Sequence, residues 1–171
     1  MNQIITMLPT DNNASSSVFH NTRIAIVSAM WHQDIVSKAR EGLFTEFDRH
    51  QFPNHQIDQF EVPGAFEIPL FVKKLTQTTR YSAIIACGLI VDGGIYRHEF
   101  VAAAVIDGLM RIQIQSGIPI LSVVLTPKDF HENSDHHRFF SEHFIKKGIE
   151  AASACLNIIA GLKKLESINE S

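Results

Sequence analysis

The sequence has few cysteines, no long apolar run and almost no excess of charge, and each shortage argues against one class of protein. The two cysteines, Cys87 and Cys155, fall in apolar segments, which indicates buried thiols in a reducing compartment rather than a disulfide. The net charge of −3 gives no reason to expect a nucleic-acid or membrane surface. No apolar run reaches the roughly 18–20 residues that a membrane span requires. We therefore expect a cytoplasmic protein with neither nucleic acid nor membrane as a partner.

What the sequence does contain fits one globular domain with a polar extension in front of it. Hydrophobic residues make up 45% of the 171 residues and charged residues 19%, which allows a substantial core. Residues 1–21 are rich in Asn and Ser without a clear period, which predicts a flexible N-terminal tail. The apolar piece at residues 4–8 is too short for the core of a signal peptide. We assign residues 22–171 to a single domain.

Strand and helix patterns alternate along that domain. Short apolar or alternating runs predict strands at residues 24–27, 56–62, 82–89 and 119–126. Helical periodicity predicts helices at residues 33–49, 65–76, 100–114 and 135–165, the last with a break near Gly148. The helix at 100–114 is apolar almost all round, which predicts that it is buried. Strands separated by helices form parallel βαβ units, so we predict an α/β fold, a three-layer α/β/α domain with a four-stranded parallel sheet.

Unusual residues gather where the third predicted strand ends. Gly93 and Gly94 allow a ligand to approach the backbone, and the free N–H groups at the start of the next helix favour an anion. Arg97 and His98 add a permanent cation and a group that can transfer protons. In a parallel sheet ligands bind at the carboxyl ends of the strands, where this segment lies. The segment is either a site for a phosphorylated small molecule or an ordinary turn with solvated charges.

Two further segments end strands at the same predicted edge of the sheet. Trp31, the only tryptophan, could stack on a flat heterocycle or anchor the next helix in the core. Glu67 lies just past Gly64 at the end of the second strand. Its carboxylate could accept hydrogen bonds from a polyol or a ring N–H, or it could simply favour the start of a helix.

Histidines cluster near the start of the last predicted helix. The cluster consists of His131, His136, His137 and His143, with Glu132, Asp135 and Arg138 nearby. No paired metal-ligand motif with an established spacing is present, so we predict no metal site and no cofactor. The imidazoles or Arg138 could instead bind a phosphate, or the cluster could be a solvated helix face.

Three motifs together resemble those of the lumazine synthase family. Residues 62–69, VPGAFEIP, are similar to the family's substrate-binding turn, and residues 91–101, VDGGIYRHEFV, are similar to its catalytic turn. Residues 118–126, IPILSVVLT, are similar to the strand that follows. The likeness runs from about residue 23 to residue 162, and the sequence Tyr96-Arg97-His98 resembles the second type of the enzyme. The resemblance implies a flavodoxin-like fold.

The resemblance also implies an enzyme of riboflavin biosynthesis. Lumazine synthases condense 5-amino-6-(D-ribitylamino)uracil with 3,4-dihydroxy-2-butanone 4-phosphate to give 6,7-dimethyl-8-ribityllumazine, phosphate and water. They form pentamers whose active sites lie between subunits, and some stack as dimers of pentamers. The likeness to the second type favours a dimer of pentamers for this chain.

Particular residues match the family's substrate contacts. The resemblance implies that Trp31 stacks on the pyrimidine and that the amides of Gly94 and Ile95 hold the phosphate. It also implies a contact to the uracil from Ser122 of an adjacent subunit. The remaining matches form two runs, Ala65, Phe66 and Glu67 for the ribityl chain and Leu89, Ile90 and Val91 for the uracil.

Two positions depart from the common family pattern. Arg97 stands where many members carry a catalytic histidine, and arginine keeps its proton near neutrality, so it suits phosphate binding rather than base catalysis. His98 could move protons if it faces the site, since neighbouring residues of a helix point about 100° apart. The family's phosphate-binding arginine falls at His136, with Arg138 two residues on. We therefore predict catalytic roles for Arg97 and His98, and a phosphate contact from His136 or Arg138.

The sequence also allows other functions. A flavin- or lumazine-binding protein of the same fold with reduced catalysis is compatible with Arg97 and Trp31. A scaffold role, in which the pentamer serves mainly as an assembly, is a further option. Measured turnover of the two substrates separates an enzyme from both alternatives.

Overall fold

Four parallel strands form the centre of the molecule. The computed structural model describes residues 19–95, 97–128, 130 and 134–169, so the predicted tail at residues 1–21 lies almost wholly outside the described residues. The strands are β1 (Ile24–Ala29), β2 (Ile57–Val62), β3 (Ala83–Leu89) and β4 (Ile120–Leu125). Their order in the sheet is β2-β1-β3-β4, and every neighbouring pair is parallel. The predicted four-stranded parallel sheet is confirmed.

Helices cover both faces of this sheet, which confirms the predicted three-layer α/β/α fold. They are α1 (Gln33–Val36), α2 (Lys38–Arg49), α3 (Ile68–Thr76), α4 (His98–Ser116) and α5 (Ser134–Asn169), with short 3₁₀ turns at Asn54–Gln56 and Ala65–Glu67. On one face the buried layer includes Leu43 of α2 and Phe144 of α5. On the other face it includes Val72 of α3 and Val105 of α4. Because β3 has helices on both sides, all of its residues are buried.

The helix predicted at residues 33–49 is divided in two at Ser37, between α1 and α2. Serine competes for nearby backbone hydrogen bonds and so favours helix ends over helix interiors. The apolar stripe that predicted the helix, formed by Ile35, Ala39, Leu43 and Phe47, is buried on both sides of this division. Ser37 itself has right-handed helical backbone angles, and the division leaves the same apolar face in the core.

Both cysteines are free, buried thiols, as predicted. Burial raises the pKa of Cys87 to about 12 and also raises the pKa of Cys155, because a thiolate is poorly solvated in the core. Both thiols therefore stay protonated at neutral pH, and their role is to fill space.

The last helix is continuous, so the predicted break near Gly148 is wrong. A Cβ at Gly148 would lie 2.1 Å from the carbonyl oxygen of Ala39 in α2. The contact is reciprocal, because a Cβ at Gly42 of α2 would lie 2.0 Å from the carbonyl oxygen of Ile145 in α5. Glycine costs a helix interior about 1 kcal/mol relative to alanine, and here the close crossing of two helix backbones outweighs that cost. Gly148 marks a packing contact and not a helix end.

The prediction of a buried helix at residues 100–114 is wrong for the single chain. The inner face of α4 packs on the sheet through Val105, Leu109 and Ile112. Its outer face is largely apolar and open, with Phe100 63% and Ile114 74% exposed, and it also carries the exposed ion pair of Asp107 and Arg111. The all-round apolar pattern therefore combines a core face with a face that lies on the surface of the single chain.

The close crossing of α2 and α5 predicts a large effect of one added methyl group. Gly148→Ala should destabilise the protein by about 1–3 kcal/mol, because a Cβ at this position meets backbone atoms that cannot rotate away. Denaturant unfolding followed by circular dichroism measures the change. Gly108→Ala in α4 is the matched control, since its Cβ would lie 3.2 Å from the Cβ of Pro69, a milder contact with a side chain. Equal midpoints for Gly148→Ala and the wild type would contradict the close crossing.

Candidate active site

A cavity of about 340 Å³ opens at the carboxyl ends of β1, β2 and β3. Its wall consists of Trp31, His32, Ala65, Phe66, Leu89, Ile90, Val91, Gly93, Ile95, His98 and Val101. Apart from two imidazoles the wall is apolar. A cavity of this size and lining suits a flat ring system that is oriented by a few polar groups.

The cavity brings together eight of the residues that the sequence singled out. These are Trp31, Ala65, Phe66, Leu89, Ile90, Val91, Ile95 and His98. Gly93, which the sequence marks as a place where a ligand can approach the backbone, is also in the wall, whereas His32 and Val101 were not predicted as contacts. His32 directly follows Trp31, and Val101 lies three residues after His98 on the same face of α4. Each of these two residues lies beside a predicted contact, and that proximity was the signal from which the sequence could have identified them.

The ring of Trp31 lies over the turn that follows β2. The backbone N–H of Trp31 donates to the carbonyl of Pro63 at 3.1 Å, and the backbone N–H of Met30 donates to the carbonyl of Val62 at 2.9 Å. A Cβ at Gly64 would lie 2.9 Å from Cε3 of the Trp31 ring, so any larger residue at this position would clash with the indole. With 67% of the residue exposed, Trp31 is not an anchor in the core of the chain. One face of the indole is held by protein, and the ring is available for stacking.

Glu67 shapes the turn beneath the cavity and does not line the cavity wall. Its Oε2 accepts the backbone N–H of Gly64 at 2.9 Å. This bond closes the 3₁₀ turn Ala65–Glu67 before α3 begins. The carboxylate therefore serves the local fold, and its free lone pairs remain available to a ligand's hydroxyl groups.

The two-glycine turn after β3 is held by a carboxylate of its own. Asp92 accepts the backbone N–H of Gly94 through Oδ1 at 2.9 Å. Gly94 has a φ of 73°, a left-handed conformation that glycine adopts without a steric penalty. The predicted phosphate-binding amide of Gly94 is thus already bonded to Asp92, and an anion would have to share or replace that bond.

Arg97 and His98 point in different directions from the start of α4. The His98 ring lines the cavity, and its side chain is only 15% exposed. Nδ1 of His98 lies 4.0 Å from Oδ2 of Asp92 and 3.8 Å from Oε2 of Glu99. The guanidinium of Arg97 lies instead 4.3 Å from the centre of the Phe100 ring, outside the cavity wall. Within the single chain, the cavity receives the imidazole and not the guanidinium.

Besides Glu67, Gly94 and Arg97, three further predicted residues lie outside the cavity wall in the single chain. Ser122 is exposed on the edge strand β4. Arg138 is exposed on the first turns of α5 and pairs with Asp135 at 3.3 Å. The ring of His136 packs in an aromatic cluster, 6.1 Å from Phe140 between ring centres. None of the three joins the substrate-sized cavity without a second chain or a rearrangement.

The start of α5 is tied to the start of α1 by an ion pair between His137 and Asp34. The hydrogen bond from His137 lowers the pKa of Asp34, because it favours the charged carboxylate. Between these groups Phe130 lies edge-on to His32, with 5.6 Å between ring centres. The predicted cluster members His131 and Glu132 lie outside the described residues.

Two classes of feature are absent from the part of the chain that the structure describes. No set of three or more His, Cys, Asp and Glu side chains there is grouped so as to hold a metal ion. None of the helices there is long and apolar enough to cross a membrane.

Comparison with known proteins decides the family. Residues 21–163 match the family described as 6,7-dimethyl-8-ribityllumazine synthase. The chain belongs to this family. The predicted resemblance to lumazine synthases is confirmed, and with it the flavodoxin-like α/β fold.

Several relatives are similar over most of their length. The chain is 53% identical to the 6,7-dimethyl-8-ribityllumazine synthase of Rhodococcus erythropolis, over 87% of this chain and 96% of the relative. It is 46% identical to the 6,7-dimethyl-8-ribityllumazine synthase 2 of Pseudomonas syringae pv. tomato, over 94% of this chain and 96% of the relative. A protein of the same name from Bradyrhizobium diazoefficiens is 50% identical, over 84% of this chain and 86% of the relative. The segment that matches the family, residues 21–163, includes all residues of the cavity wall.

The contact between Gly64 and the Trp31 ring makes the lumazine synthase cavity measurable by fluorescence. Trp31 is the only tryptophan, so the intrinsic emission reports this one site. Gly64→Ala should displace the indole and change its emission maximum and its quenching by iodide. Gly93→Ala adds a Cβ to the wall where no atom lies within 4 Å, and it should leave the emission unchanged. Identical spectra for Gly64→Ala and the wild type would refute the packing of Trp31 on the turn.

Proposed function

We propose that this lumazine synthase family member forms 6,7-dimethyl-8-ribityllumazine in riboflavin biosynthesis. The substrates are 5-amino-6-(D-ribitylamino)uracil and 3,4-dihydroxy-2-butanone 4-phosphate, and phosphate and water leave. The observation that carries the proposal is the cavity at the carboxyl edge of the sheet, where an exposed indole, an apolar wall and two half-buried imidazoles meet. The reaction takes place in the cytoplasm.

The pyrimidine substrate occupies the cavity beneath Trp31. Its flat ring stacks on the indole, and its polar edge reaches backbone groups of Leu89, Ile90 and Val91 at the end of β3. The ribityl chain runs along the turn at residues 65–67, where the Glu67 carboxylate accepts bonds from its hydroxyl groups. This arrangement leaves the 5-amino group on the His98 side of the cavity.

The phosphorylated substrate binds beside the two-glycine turn. The backbone N–H of Ile95 and the N–H groups at the start of α4 favour an anion there. Arg97 adds positive charge at the mouth, and His136 or Arg138 supplies a further contact from the start of α5. The phosphate shares the amide of Gly94 with the Asp92 carboxylate or displaces it.

The substrates carry the reactive groups, and the protein supplies position and proton transfer. The 5-amino nitrogen attacks the ketone carbon, and loss of water gives a Schiff base. Removal of a proton then allows elimination of phosphate, and the resulting enol takes up a proton to give a carbonyl group. The ribityl-bearing nitrogen attacks that carbonyl and closes the ring with loss of water. The wall holds two imidazoles, His32 and His98, and His98 is the one that follows the two-glycine turn, so we assign the acceptance and return of these protons to His98.

We further propose that the working form is an oligomer, a pentamer and then a dimer of pentamers, with sites between subunits. The exposed apolar face of α4 supports this, since Phe100, Met110 and Ile114 are each more than half exposed in one chain. The position of Ser122 on an exposed edge strand also supports it, because a neighbour's Ser122 could reach a cavity that its own chain's Ser122 does not line. The single chain holds most of one substrate's site and only part of the other's.

Substitutions at residues 97 and 98 separate proton transfer from phosphate binding. His98→Gln should lower kcat by about 10²-fold, because it removes a general acid–base group. Arg97→Ala should raise KM for the butanone phosphate by about tenfold, which corresponds to roughly 1.4 kcal/mol of a charge-assisted contact. Lumazine absorbance follows both reactions. Unchanged steady-state parameters for both substrates in Arg97→Ala would remove the role given to Arg97, and a wild type without turnover would favour a binding protein.

The apolar face of α4 predicts that one charge disrupts the assembly. Ile114→Glu should shift the protein from a pentamer or decamer toward monomers, because a carboxylate in an apolar interface loses its hydration. Turnover should fall with the assembly if sites are shared. Light scattering measures the mass, and Lys74→Glu on the exposed part of α3 is the control for added negative charge. A wild-type protein that is monomeric and fully active would contradict the shared site.

A further inference from the structure

We infer that Asp92 is a positioning residue, whose single carboxylate holds both the two-glycine turn and the imidazole of His98. The inference rests on the proposed function, because it concerns how the group proposed to carry protons is oriented. It goes beyond that function by assigning a role to a residue that lies outside the cavity wall. The observation behind it is that the two oxygens of the Asp92 carboxylate face different groups, the backbone N–H of Gly94 and the imidazole of His98.

The two oxygens of Asp92 face two different groups. Oδ1 accepts the backbone N–H of Gly94 at 2.9 Å, which fixes the rotation of the carboxylate. Oδ2 then lies 4.0 Å from Nδ1 of His98. This distance is longer than a hydrogen bond, and contacts of catalytic groups are often long before substrate binds. A small movement of the imidazole toward the turn would shorten this separation to a hydrogen bond.

The position of Asp92 determines which nitrogen of His98 serves the cavity. The two ring nitrogens point away from each other, so an imidazole with Nδ1 toward the turn presents Nε2 to the cavity that its ring lines. A carboxylate beside Nδ1 favours the tautomer that carries its proton there. Nε2 is then left as the acceptor for a proton from the substrate. The pair thereby supplies a base at a site where Arg97 cannot act as one.

Glu99 is the competing carboxylate, and its surroundings make it the control. Its Oε2 is 3.8 Å from the same nitrogen, but its side chain is 63% exposed in the first turn of α4. Among the described residues we find no hydrogen bond that restrains the Glu99 carboxylate, so it can rotate into solvent. A carboxylate in the first turn of a helix is also favoured by the helix dipole, which explains Glu99 without reference to His98.

The test compares Asp92→Asn, Asp92→Ala, Glu99→Gln and His98→Gln with the wild type, each as the full chain, in the lumazine-forming reaction. Asp92→Asn keeps an oxygen that can accept the Gly94 N–H but removes the charge beside His98, whereas Asp92→Ala removes both. We expect Asp92→Asn to lower kcat by about tenfold while KM for each substrate stays within about twofold of the wild type. Asp92→Ala should lower kcat as much and also raise KM for the butanone phosphate, because the turn is no longer held. Glu99→Gln should leave kcat within about twofold.

The remaining measurements keep the interpretation unambiguous. Trp31 fluorescence and the melting midpoint of Asp92→Asn should match the wild type, which excludes a general loss of structure. Wild-type kcat in Asp92→Asn, together with a slow His98→Gln, would overturn the positioning role and leave the proposed function intact. An equal loss in Glu99→Gln would also overturn it, because the effect would then belong to local negative charge. Wild-type kcat in His98→Gln, or no turnover in the wild type, would overturn both proposals.

Discussion

The site depends on the parallel pairing of β1 with β2 on one side and β3 on the other. The register aligns Ala29 with Val62, so both strands stop at the same edge of the sheet. Hydrogen bonds continue past the strands, from Met30 to Val62 and from Trp31 to Pro63, and they bring two loops into contact. A slip of one residue would turn every side chain of β1 to the other face and carry the indole away from Gly64. The cavity, the indole at its wall and the two-glycine turn therefore all depend on these backbone hydrogen bonds of the sheet.

The loops at this edge are ordered by their own carboxylates. Glu67 accepts the N–H of Gly64, and Asp92 accepts the N–H of Gly94. In the family's pattern these turns are places where a ligand meets the backbone, and here each turn already has an internal acceptor at a key amide. Such bonds hold the loops near the shape that a ligand requires, so less ordering is needed when the ligand binds. They also explain why acidic residues occur beside turns that are expected to receive a phosphorylated substrate.

An apolar surface and a predicted site residue lie side by side on the outside of the single chain. The apolar outer face of α4 begins near Phe100, just beyond the His98 that lines the cavity. Arg97, between the turn and that face, stacks on the Phe100 ring instead of entering the cavity. A neighbour that covers the face would therefore also alter the surroundings of Arg97. Such a neighbour would link assembly to the surroundings of Arg97 through the first turn of one helix.

The sequence by itself determined the alternation of strands and helices, the sheet, the family and most of the cavity wall, because periodicity and short motifs are local properties. It failed at Gly148, where a glycine that suggested a helix break serves a contact with Ala39 on a distant helix. It also failed at α4, where the apolar pattern predicted a buried helix but one face of the helix is exposed in the single chain. Only the tertiary structure decided that His98 and not Arg97 faces the cavity, since that choice depends on the angle at which α4 leaves the turn. Contacts between residues far apart in sequence, such as Trp31 with Gly64, leave no periodic trace, and for this reason the structure was needed to find them.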